Sequence, residues 1–440
     1  MLPARSLLSR LLPMLFDILR AVLGLTILIG AGVLFSENRR AIDWRLVGGG
    51  LFLQILLALL FLVVPGGNWI FDQLAAFFVW VTDFSKEGAK FVFGELADGG
   101  TMGRVIGPGQ GFVFAFQVLP TIIFFSALCS LLYYVGILQK VVWAFAWVSK
   151  KFMKLSGAES LAAAAEIFLG QTELPLMIKP YIDRMNRSEI FALMTGGMAT
   201  IAGGVLVAYI GFLGGDNEAE KIAFAKFLLC ASFMAAPASL VVAKLLIPQT
   251  EPIDDSLHVP KDKLGANMLD ALANGTSEGL KLAANVGAML IAFVAFAALL
   301  NGCLTWMGGK FGHPELSLNV LLGYAFAPVA WIIGVDSADS SKVGALIGTK
   351  LVFTEFIAYR DLGVLKAAGA LTPKTIYIAT FALCGFANFA SIGIQLGGTG
   401  SIAPGQRPTI AALGFKAVLG GTMATLMTAT LAGALYQWAT

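Results

Sequence analysis

The sequence predicts an all-α integral membrane protein with about eight transmembrane helices, two re-entrant helical hairpins in an inverted repeat, and interfacial helices. Three observations support this: the composition, the length of the uncharged stretches, and a polar Thr-Glu sequence that occurs twice in apolar surroundings. Of the 440 residues, 58% are hydrophobic and only 13% are charged, whereas soluble domains average about 25% charged residues. Long continuous apolar runs favour helices over a β-barrel, whose strands give short alternating segments.

The composition also narrows the classes of function. A net charge of +3 is too small to imply a nucleic-acid partner. The two histidines, His258 and His313, lie in polar loops, so we expect neither a zinc site nor a histidine-based triad. The glycine-rich stretches are not followed by a lysine at P-loop spacing. We therefore expect no cofactor. The four cysteines have no CxxC spacing and are predicted to be buried small hydrophobes: Cys129, Cys230, Cys303 and Cys384.

A membrane-spanning helix needs about 20 mostly apolar residues. The first candidate follows Arg5, Arg10 and Arg20 and is predicted to be a retained helix rather than a cleaved signal sequence. The positive charges flank it equally on both sides, so they do not predict its orientation. The uncharged stretches that predict crossings are 21–36, 46–71, 105–139, 190–215, 227–243, 282–309, 375–406 and 417–440.

Three other segments do not fit simple crossings. Residues 72–100 mix charges with Phe and Trp, and residues 138–154 are amphipathic, so both are predicted to be interfacial. Residues 316–335 are uncharged but contain Pro328, which leaves them ambiguous between a crossing and an interfacial helix. The interfacial interpretation is favoured because 138–154 holds the matching place before the first hairpin. Three crossings then separate the hairpins, which predicts an inverted repeat.

The first hairpin is predicted from EIFLGQTELP at 166–175. The apolar segments on either side, 158–169 and 174–185, are each too short to span a bilayer. We therefore expect the Thr172-Glu173 pair to lie at the tip of a re-entrant hairpin. Non-helical backbone at membrane depth is tolerated only where protein or water satisfies it.

The second hairpin is predicted from FTEFIAY at 353–359, with short helices at 342–353 and 356–366 around Thr354-Glu355. Each hairpin is followed by a glycine-rich, weakly helical stretch, TGGMATIAGG and then CGFANFASIG. A carboxylate at membrane depth usually contacts a substrate or ion. Two such units in one chain indicate a duplicated transport site built on broken helices.

Other interpretations remain open from the residues alone. Glu173 and Glu355 could instead form structural ion pairs with lysines such as Lys179 or Lys350. A symporter of another small neutral polar solute would fit the same scaffold. A membrane-embedded enzyme is disfavoured because its acidic cluster would have to be the DSAD sequence at 336–339, which a capped loop explains better. A passive channel is disfavoured because no ring of pore-lining charge is evident.

The four motifs GQTELP, TGGMATIAGGV, TEFIAY and GFANFASIGIQLGGTGSIAP, in this order and spacing, resemble those of the concentrative nucleoside transporters over roughly residues 20–440. The resemblance implies a homotrimer in the cell (inner) membrane. It also implies an elevator-type mechanism that carries nucleosides into the cell together with sodium or a proton.

The resemblance also implies roles for individual residues. The nucleobase would be contacted from the first hairpin and the helix that follows it, and the ribose from the second hairpin and its broken helix. A carboxylate accepts from a sugar diol through charge-assisted hydrogen bonds, and an amide with a hydroxyl can pair with a base edge. The implied substrate-binding residues are Gln171, Thr172, Glu173 and Val205 on the base side, Glu355, Asn388 and Ser391 on the ribose side, and Phe386 beside the substrate.

The implied cation site consists of Glu166, Leu169, Thr200 and Ile201. Sodium-coupled relatives have an Asn at the first of these positions, and Glu166 replaces it here. A carboxylate can bind sodium or carry a proton itself, so both coupling ions remain open. The second hairpin also departs from the family, since Thr354 stands where relatives commonly have Asn.

We expect three regions along the chain. Residues 1–137 are predicted to form scaffold and trimerisation helices, including an interfacial helix. The first transport repeat at 138–247 is predicted to contain the hairpin at 158–185 and the broken helix at 190–215. The second, at 268–440, is predicted to contain the hairpin at 342–366, the broken helix at 375–399 and the C-terminal helix.

Overall fold

The computed structural model describes residues 4–107, 111–153, 155–171, 174–215, 217–254, 256 and 265–439. Within these ranges all regular structure is helical and no strand is present, which confirms the predicted all-α class. The helices before the first hairpin are α1 (Ala4–Leu34), α2 (Trp44–Leu62), α3 (Pro65–Phe93), α4 (Gly99–Ile106), α5 (Phe114–Gln117), α6 (Leu119–Val135) and α7 (Ile137–Met153).

Two further groups of helices follow, and they repeat one order of elements. The first hairpin group is α8 (Gly157–Ala165), α9 (Leu174–Ile182), α10 (Arg187–Ala199), α11 (Gly203–Gly214) and α12 (Glu218–Leu246). After the long helix α13 (Met268–Lys310) come α14 (Leu318–Ile332), α15 (Ser340–Val352), α16 (Glu355–Ala367), α17 (Pro373–Leu383), α18 (Phe389–Gly397), α19 (Thr399–Ile402) and α20 (Arg407–Ala439).

The lengths and compositions of the helices are those of a multi-pass membrane protein. Seven of the described segments are long and apolar enough to cross a bilayer, and they coincide with seven of the eight predicted stretches. The eighth, 375–406, is divided by a break into α17 and α18, each too short to count as a continuous span. The seven segments are Met14–Leu34, Trp44–Leu62, Phe114–Val135, Arg187–Gly214, Glu218–Leu246, Met268–Lys310 and Pro404–Ala439.

Arg20 lies inside α1 rather than at its membrane flank. Helix α1 begins at Ala4, sixteen residues before Arg20. The guanidinium is buried and donates from Nε to the carbonyl of Trp331 at 2.9 Å, and it also donates to the carbonyl of Val335. Trp331 lies in the last turn of α14, where the helical carbonyls need partners and a positive charge is favourable, and Val335 lies three residues after the end of the helix. Arg20 therefore joins α1 to α14.

The first hairpin consists of α8 and α9, which pack against each other. The start of α8 is fixed by a capping box, in which Ser156 Oγ accepts from the Glu159 N–H and the Glu159 carboxylate accepts from the Ser156 N–H. The helical part of α8 ends at Ala165, and the tip begins with Glu166. Helices α8 and α9 are each nine residues long. Both are too short to span a bilayer, as the sequence predicted.

The second hairpin consists of α15 and α16, with only Phe353 and Thr354 between them. Asp339 of the DSAD sequence holds the N-cap position of α15 but does not cap it with its side chain; the carboxylate instead accepts from the Thr372 N–H at 3.1 Å and lies 3.7 Å from Lys342 Nζ. The acidic DSAD sequence therefore has a local structural explanation.

Each hairpin is followed by a broken helix, and the two breaks touch. Between α10 and α11 the chain is extended at Thr200, with φ −108° and ψ 171°. Between α17 and α18, Gly385 has φ +129°, and a Cβ there would lie 2.7 Å from the carbonyl oxygen of Ala199. Glycine is required at this position, because a side chain would have both a strained backbone and a collision. Helix α20 crosses both breaks, with Gly421 packed against Met198 and Ala387.

Helices α6 and α13 pack more extensively on each other than on any other helix, although α6 also contacts α3, α7 and α11. Helices α6 and α13 pack closely along each other, where Gly275 and Gly279 lie against Ser126 and Ser130. Helices α1 and α2 instead pack on α12 and α20, the two most buried long helices. The first two helices are therefore attached to the hairpin groups and not to α6 and α13.

Candidate substrate and cation sites

A cavity of about 80 Å³ lies where the two hairpin tips approach the two helix breaks. Its wall combines elements that are far apart in the sequence, and α13 closes one side. The lining is mostly apolar, with few polar groups, as in typical sites for small molecules. The lining residues are Gly170 and Gln171 from the first tip, Ala202 and Val205 from α11 and its break, Leu282, Val286, Met289 and Leu290 from α13, Thr354, Glu355 and Phe356 from the second hairpin, and Phe386, Asn388, Ser391 and Ile394 from the second broken helix.

Glu355 is the buried carboxylate of this cavity, with 2% of its surface exposed. It is the first residue of α16, where the helix dipole favours a negative charge. Tyr209 donates its hydroxyl to Oε1 at 3.0 Å, and Asn388 donates its amide to Oε2 at 2.8 Å. Each carboxylate oxygen has a further lone pair, so the group can still accept from hydroxyls of a ligand.

The partners of Glu355 are themselves held in place. The Tyr209 ring stacks on Tyr359, with ring centroids 4.2 Å apart and planes 19° apart, and Tyr359 donates to the carbonyl of Thr380 at 2.7 Å. Asn388 caps α18 by accepting from the Ser391 N–H at 2.9 Å, which directs its amide nitrogen to Glu355. The carboxylate is therefore oriented before any ligand arrives.

A second polar group joins the first hairpin tip to α18. Gln171 donates from Nε2 to Ser391 Oγ at 3.0 Å, and its Oε1 accepts from Gln395 Nε2 at 3.1 Å. Gln395 also donates to the carbonyl of Met194 on α10 at 3.0 Å. All three side chains are buried, so this network fixes an amide and a hydroxyl at the cavity wall. Val205 and Phe386 supply apolar wall beside it.

Glu166 lies behind the first helix break and is 1% exposed. Its carboxylate packs directly on Gly196, where an added Cβ would lie 1.8 Å from Oε2, and it accepts from the Gly197 N–H. Oε1 has no hydrogen-bond partner among the described residues. Because an isolated buried charge is very costly, this carboxylate requires a proton or a bound cation.

The other predicted cation-site residues lie on the two segments that meet at this break. Thr200 is buried and donates its hydroxyl to the Gly196 carbonyl at 2.9 Å, and Ile201 follows it in the break. Leu169 is buried in the hairpin tip, next to Phe168, whose carbonyl accepts from the Gly203 N–H at 3.4 Å. The tip and the break are thus joined through their backbones.

The structure brings most of the predicted residues together. Gln171, Val205, Glu355, Phe386, Asn388 and Ser391 line one cavity. Thr172 and Glu173 lie outside the described residues. The hydrogen bonds of Glu355 come from Tyr209 and Asn388. Neither Glu355 nor Lys350 is therefore held in place by a direct ion pair with the other.

Sequence reasoning missed several residues of the site. Tyr209 lies four positions after Val205 on α11, and Gln395 lies four positions after Ser391 on α18, so helical spacing from a known site residue could have indicated both. The wall that α13 contributes to the cavity could not be predicted, because no sequence motif marks it and it reaches the cavity only through the tertiary fold. It consists of Leu282, Val286, Met289 and Leu290.

Paired hairpins, two touching helix breaks and a cavity between them define this protein as a multi-pass membrane transporter of the broken-helix class. Comparison with protein families gives three matches: "Na+ dependent nucleoside transporter N-terminus" over residues 23–96, "Nucleoside recognition" over 115–216 and "Na+ dependent nucleoside transporter C-terminus" over 227–433. The chain belongs to the Na+-dependent nucleoside transporter family, and is therefore a protein of the cell membrane.

Individual relatives agree with this assignment. The chain is 41% identical to the nucleoside permease NupC of Helicobacter pylori, covering 96% of this chain and 98% of the relative. It is 41% identical to the putative nucleoside permease NupX of Escherichia coli, covering 95% and 98%. It is 38% identical to human solute carrier family 28 member 3, covering 94% of this chain but 59% of that longer protein.

Solved structures match over nearly the whole chain. CNTnw in an inward-facing substrate-bound state has a TM-score of 0.88 at 42% identity, covering 96% of this chain and 98% of CNTnw. A CNTnw variant in an outward-facing state has a TM-score of 0.90 at 41% identity, covering 96% and 99%. CNTnw thus adopts both outward-facing and inward-facing arrangements of this fold.

Proposed function

We propose that this protein is a symporter that takes up nucleosides together with a cation, sodium or a proton, across the cell membrane. The observation that carries the proposal is the cavity in which Glu355, held by Tyr209 and Asn388, faces the Gln171–Ser391 amide–hydroxyl pair. A nucleoside is neutral, with a flat polar base at one end and a sugar diol at the other. The cavity offers a complementary group for each end.

The substrate roles follow from the hydrogen-bonding capacities of these groups. Glu355 is acceptor-only when ionised, so it suits the two ribose hydroxyls, and the hydroxyl of Ser391 and the amide of Asn388 can complete that side. The Gln171 amide both donates and accepts and therefore suits a base edge. Val205 and Phe386 contact the flat apolar faces. By family resemblance, Thr172 and Glu173 join the base side.

The coupling cation binds at Glu166, with Leu169, Thr200 and Ile201 around it. This placement is supported by the unpartnered, buried Oε1 of Glu166 and by the Thr200 hydroxyl beside the same break. Either a proton on the carboxylate or a sodium ion held by it removes the buried charge. Because the break that carries Thr200 continues into α11 and Val205, the cation and the substrate stabilise the same arrangement of the chain.

The mechanism is an elevator, in which one body carries the site across the membrane past another. The close pairing of α6 with α13, together with the attachment of α1 and α2 to α12 and α20, supports α6 and α13 as the stationary pair. This division differs from the sequence-based grouping of residues 1–137 as scaffold, since it places α1 and α2 in the moving body. Trimerisation, which the family resemblance implies, would then use the outward faces of the stationary pair.

Uptake into proteoliposomes tests the function. Radiolabelled uridine or adenosine should accumulate under an inward sodium gradient at constant pH, or under an inward proton gradient without sodium. Accumulation driven only by protons assigns a proton to Glu166, and accumulation driven by sodium assigns it a metal ligand role. No accumulation under either gradient, in liposomes shown to hold folded protein, would contradict nucleoside symport and favour another neutral polar solute.

A further inference from the structure

Lys350 is a fully enclosed lysine near the substrate cavity that the proposed mechanism does not yet use. It lies two residues before the end of α15 and is 2% exposed. Its ammonium group donates to the carbonyl of Ala382 at 3.0 Å and to Thr425 Oγ1 at 3.2 Å. Both of these partners are neutral oxygens, so the positive charge needs a further source of compensation.

That compensation comes from the end of α17. Ala382 is in the last turn of α17, where carbonyls lack helical partners and the helix dipole is negative. Lys350 also belongs to the same hairpin as Glu355, which lies five positions later in the chain and begins α16 after Phe353 and Thr354. The ammonium group therefore joins the end of α15, in the hairpin that carries Glu355, to the end of α17 and to Thr425 on α20.

Lys350 and Glu166 both lie near the end of the first half of their hairpin, although Lys350 is two positions closer to the Thr-Glu pair than Glu166 is. Glu166 follows the last residue of the first half of its hairpin and faces Gly196 and Gly197, in the last turn of α10. Lys350 is in the last turn of the first half of its hairpin and faces the last turn of α17. One repeat thus presents a carboxylate to the helix end, and the other presents an ammonium group.

We propose that Lys350 is a tethered cation: its ammonium group takes, in the second repeat, the place that the exchangeable coupling cation takes in the first. It is a positioning residue, because it acts on the substrate through Glu355 and through the end of α17. The second repeat then needs no exchangeable ion, because its cation is covalently attached to α15. This inference rests on the proposed nucleoside site.

The test measures uridine affinity of purified protein at fixed sodium concentration and pH, by isothermal titration calorimetry. Lys350→Ala should bind uridine about tenfold more weakly, since a buried charge-assisted interaction is lost. Methylammonium, which is small enough for the space left by the side chain, should restore most of that affinity at tens of millimolar. Tetramethylammonium at equal ionic strength should not, and neither salt should affect wild type.

The matched control is Lys342→Ala on the same helix. Lys342 also donates to a backbone carbonyl, that of Ala370 at 2.7 Å, but it is exposed and lies at the other end of α15. Its replacement should leave uridine affinity within about twofold, and methylammonium should change nothing. Equal affinity loss in both variants would overturn the tethered-cation role and indicate general loosening of the hairpin.

Other outcomes are also decisive. Wild-type affinity in folded Lys350→Ala, or a tenfold loss that methylammonium does not reduce, overturns the inference while leaving nucleoside binding intact. Absence of uridine binding by wild type overturns the proposed function as well. If Lys350→Ala does not fold, Thr425→Val decides: it removes one acceptor of the ammonium group and should lower uridine affinity several-fold at an unchanged melting temperature, and unchanged affinity would contradict the role.

Discussion

At the residue scale, Glu355 shows how a carboxylate can be both buried and ready to bind. Its two oxygens each accept one hydrogen bond from the protein, from Tyr209 and from Asn388, and its helix N-terminus favours the charge. The donors orient the group without using all of its lone pairs. The cost of burying the carboxylate is thus offset by groups that leave it free to recognise hydroxyls.

Glu355→Gln should abolish nucleoside uptake. The amide has one acceptor oxygen instead of two, and its NH₂ group opposes the donors of either Tyr209 or Asn388, so both the orientation and the charge are lost. Binding of uridine, measured on folded protein, should fall by about 1.5–3 kcal/mol or more, the usual value of a hydrogen bond to a charged group. Wild-type transport by this variant would remove Glu355 from the ribose site.

A second measurement separates a ribose role from a structural one. Uridine lacking its 3′-hydroxyl should bind wild type poorly, because a buried acceptor is left unpaired. In Glu355→Gln the same change of ligand should cost much less, since the two losses concern one interaction. Equal costs in both proteins would show that Glu355 does not contact the sugar.

Glu166→Asn should shift coupling towards sodium. Asparagine cannot carry a proton between the two sides of the membrane, but its oxygen can coordinate a metal ion beside the Thr200 hydroxyl. The measurement compares uptake under sodium and proton gradients in wild type and variant. Unchanged ion dependence would remove Glu166 from the cation site, and Glu159→Gln at the start of α8 serves as a control for loss of any buried hairpin carboxylate.

At the element scale, the site depends on where helices stop. Helices α10 and α17 each end inside the protein, and the freed backbone groups are met by Thr200, by Lys350 and by the contact between the two breaks. The same interruptions border the cavity and create the positions proposed for substrate and cation. A continuous helix at either place would close both.

Gly385→Ala should therefore damage the protein through the backbone. At φ +129° a side chain is strained, and the Cβ would lie 2.7 Å from the Ala199 carbonyl oxygen, so the two breaks would have to separate. We expect a loss of about 1–3 kcal/mol of stability, together with loss of uridine binding, in thermal unfolding and binding assays.

The control for this glycine is Gly393→Ala on α18. An added Cβ there meets nothing within 4 Å, and the position is helical, so the change should be neutral or slightly stabilising. Similar losses in the two variants would show that the crossing of the breaks at Gly385 has no special role.

The sequence predicted these elements well and the connections between them less well. The hairpins and breaks could be located because Thr-Glu pairs and glycine-rich stretches interrupt long apolar runs, and the observed helix ends lie within a few residues of the predicted ones. Helical spacing from Val205 and Ser391 could have indicated Tyr209 and Gln395, but the partners of these side chains and of Lys350 could not be predicted, because each lies more than thirty positions away in the chain. Periodicity contains no information about such pairings.

At the scale of the whole molecule, the packing predicts which helices move together. In the elevator proposed above, the boundary between the stationary pair and the moving body would run between α6 and α11. Gly203 and Gly204 face Phe125 there, and a Cβ on Gly204 would lie 3.6 Å from Phe125 Cβ. The Phe125 ring fills the space over Gly203, where an added Cβ would lie 2.3 Å from Cε1, so α6 and α11 approach closely without a long side chain on α11 at this point.

Two engineered disulfides test this division in a background with Cys129 and Cys303 replaced by alanine. Phe125→Cys with Gly204→Cys spans the boundary, and Gly323→Cys with Ala345→Cys lies within the moving body, where the two Cβ positions are 3.8 Å apart. Both separations suit a disulfide.

Oxidation should stop uridine uptake in the first variant, and reduction should restore it, because the elevator is locked in one position. The second variant should transport equally well when oxidised or reduced. Full uptake by the oxidised boundary pair, with the cross-link confirmed by mass spectrometry, would contradict movement along α6. Loss of uptake in the oxidised α14–α15 pair would show that these helices also separate during transport.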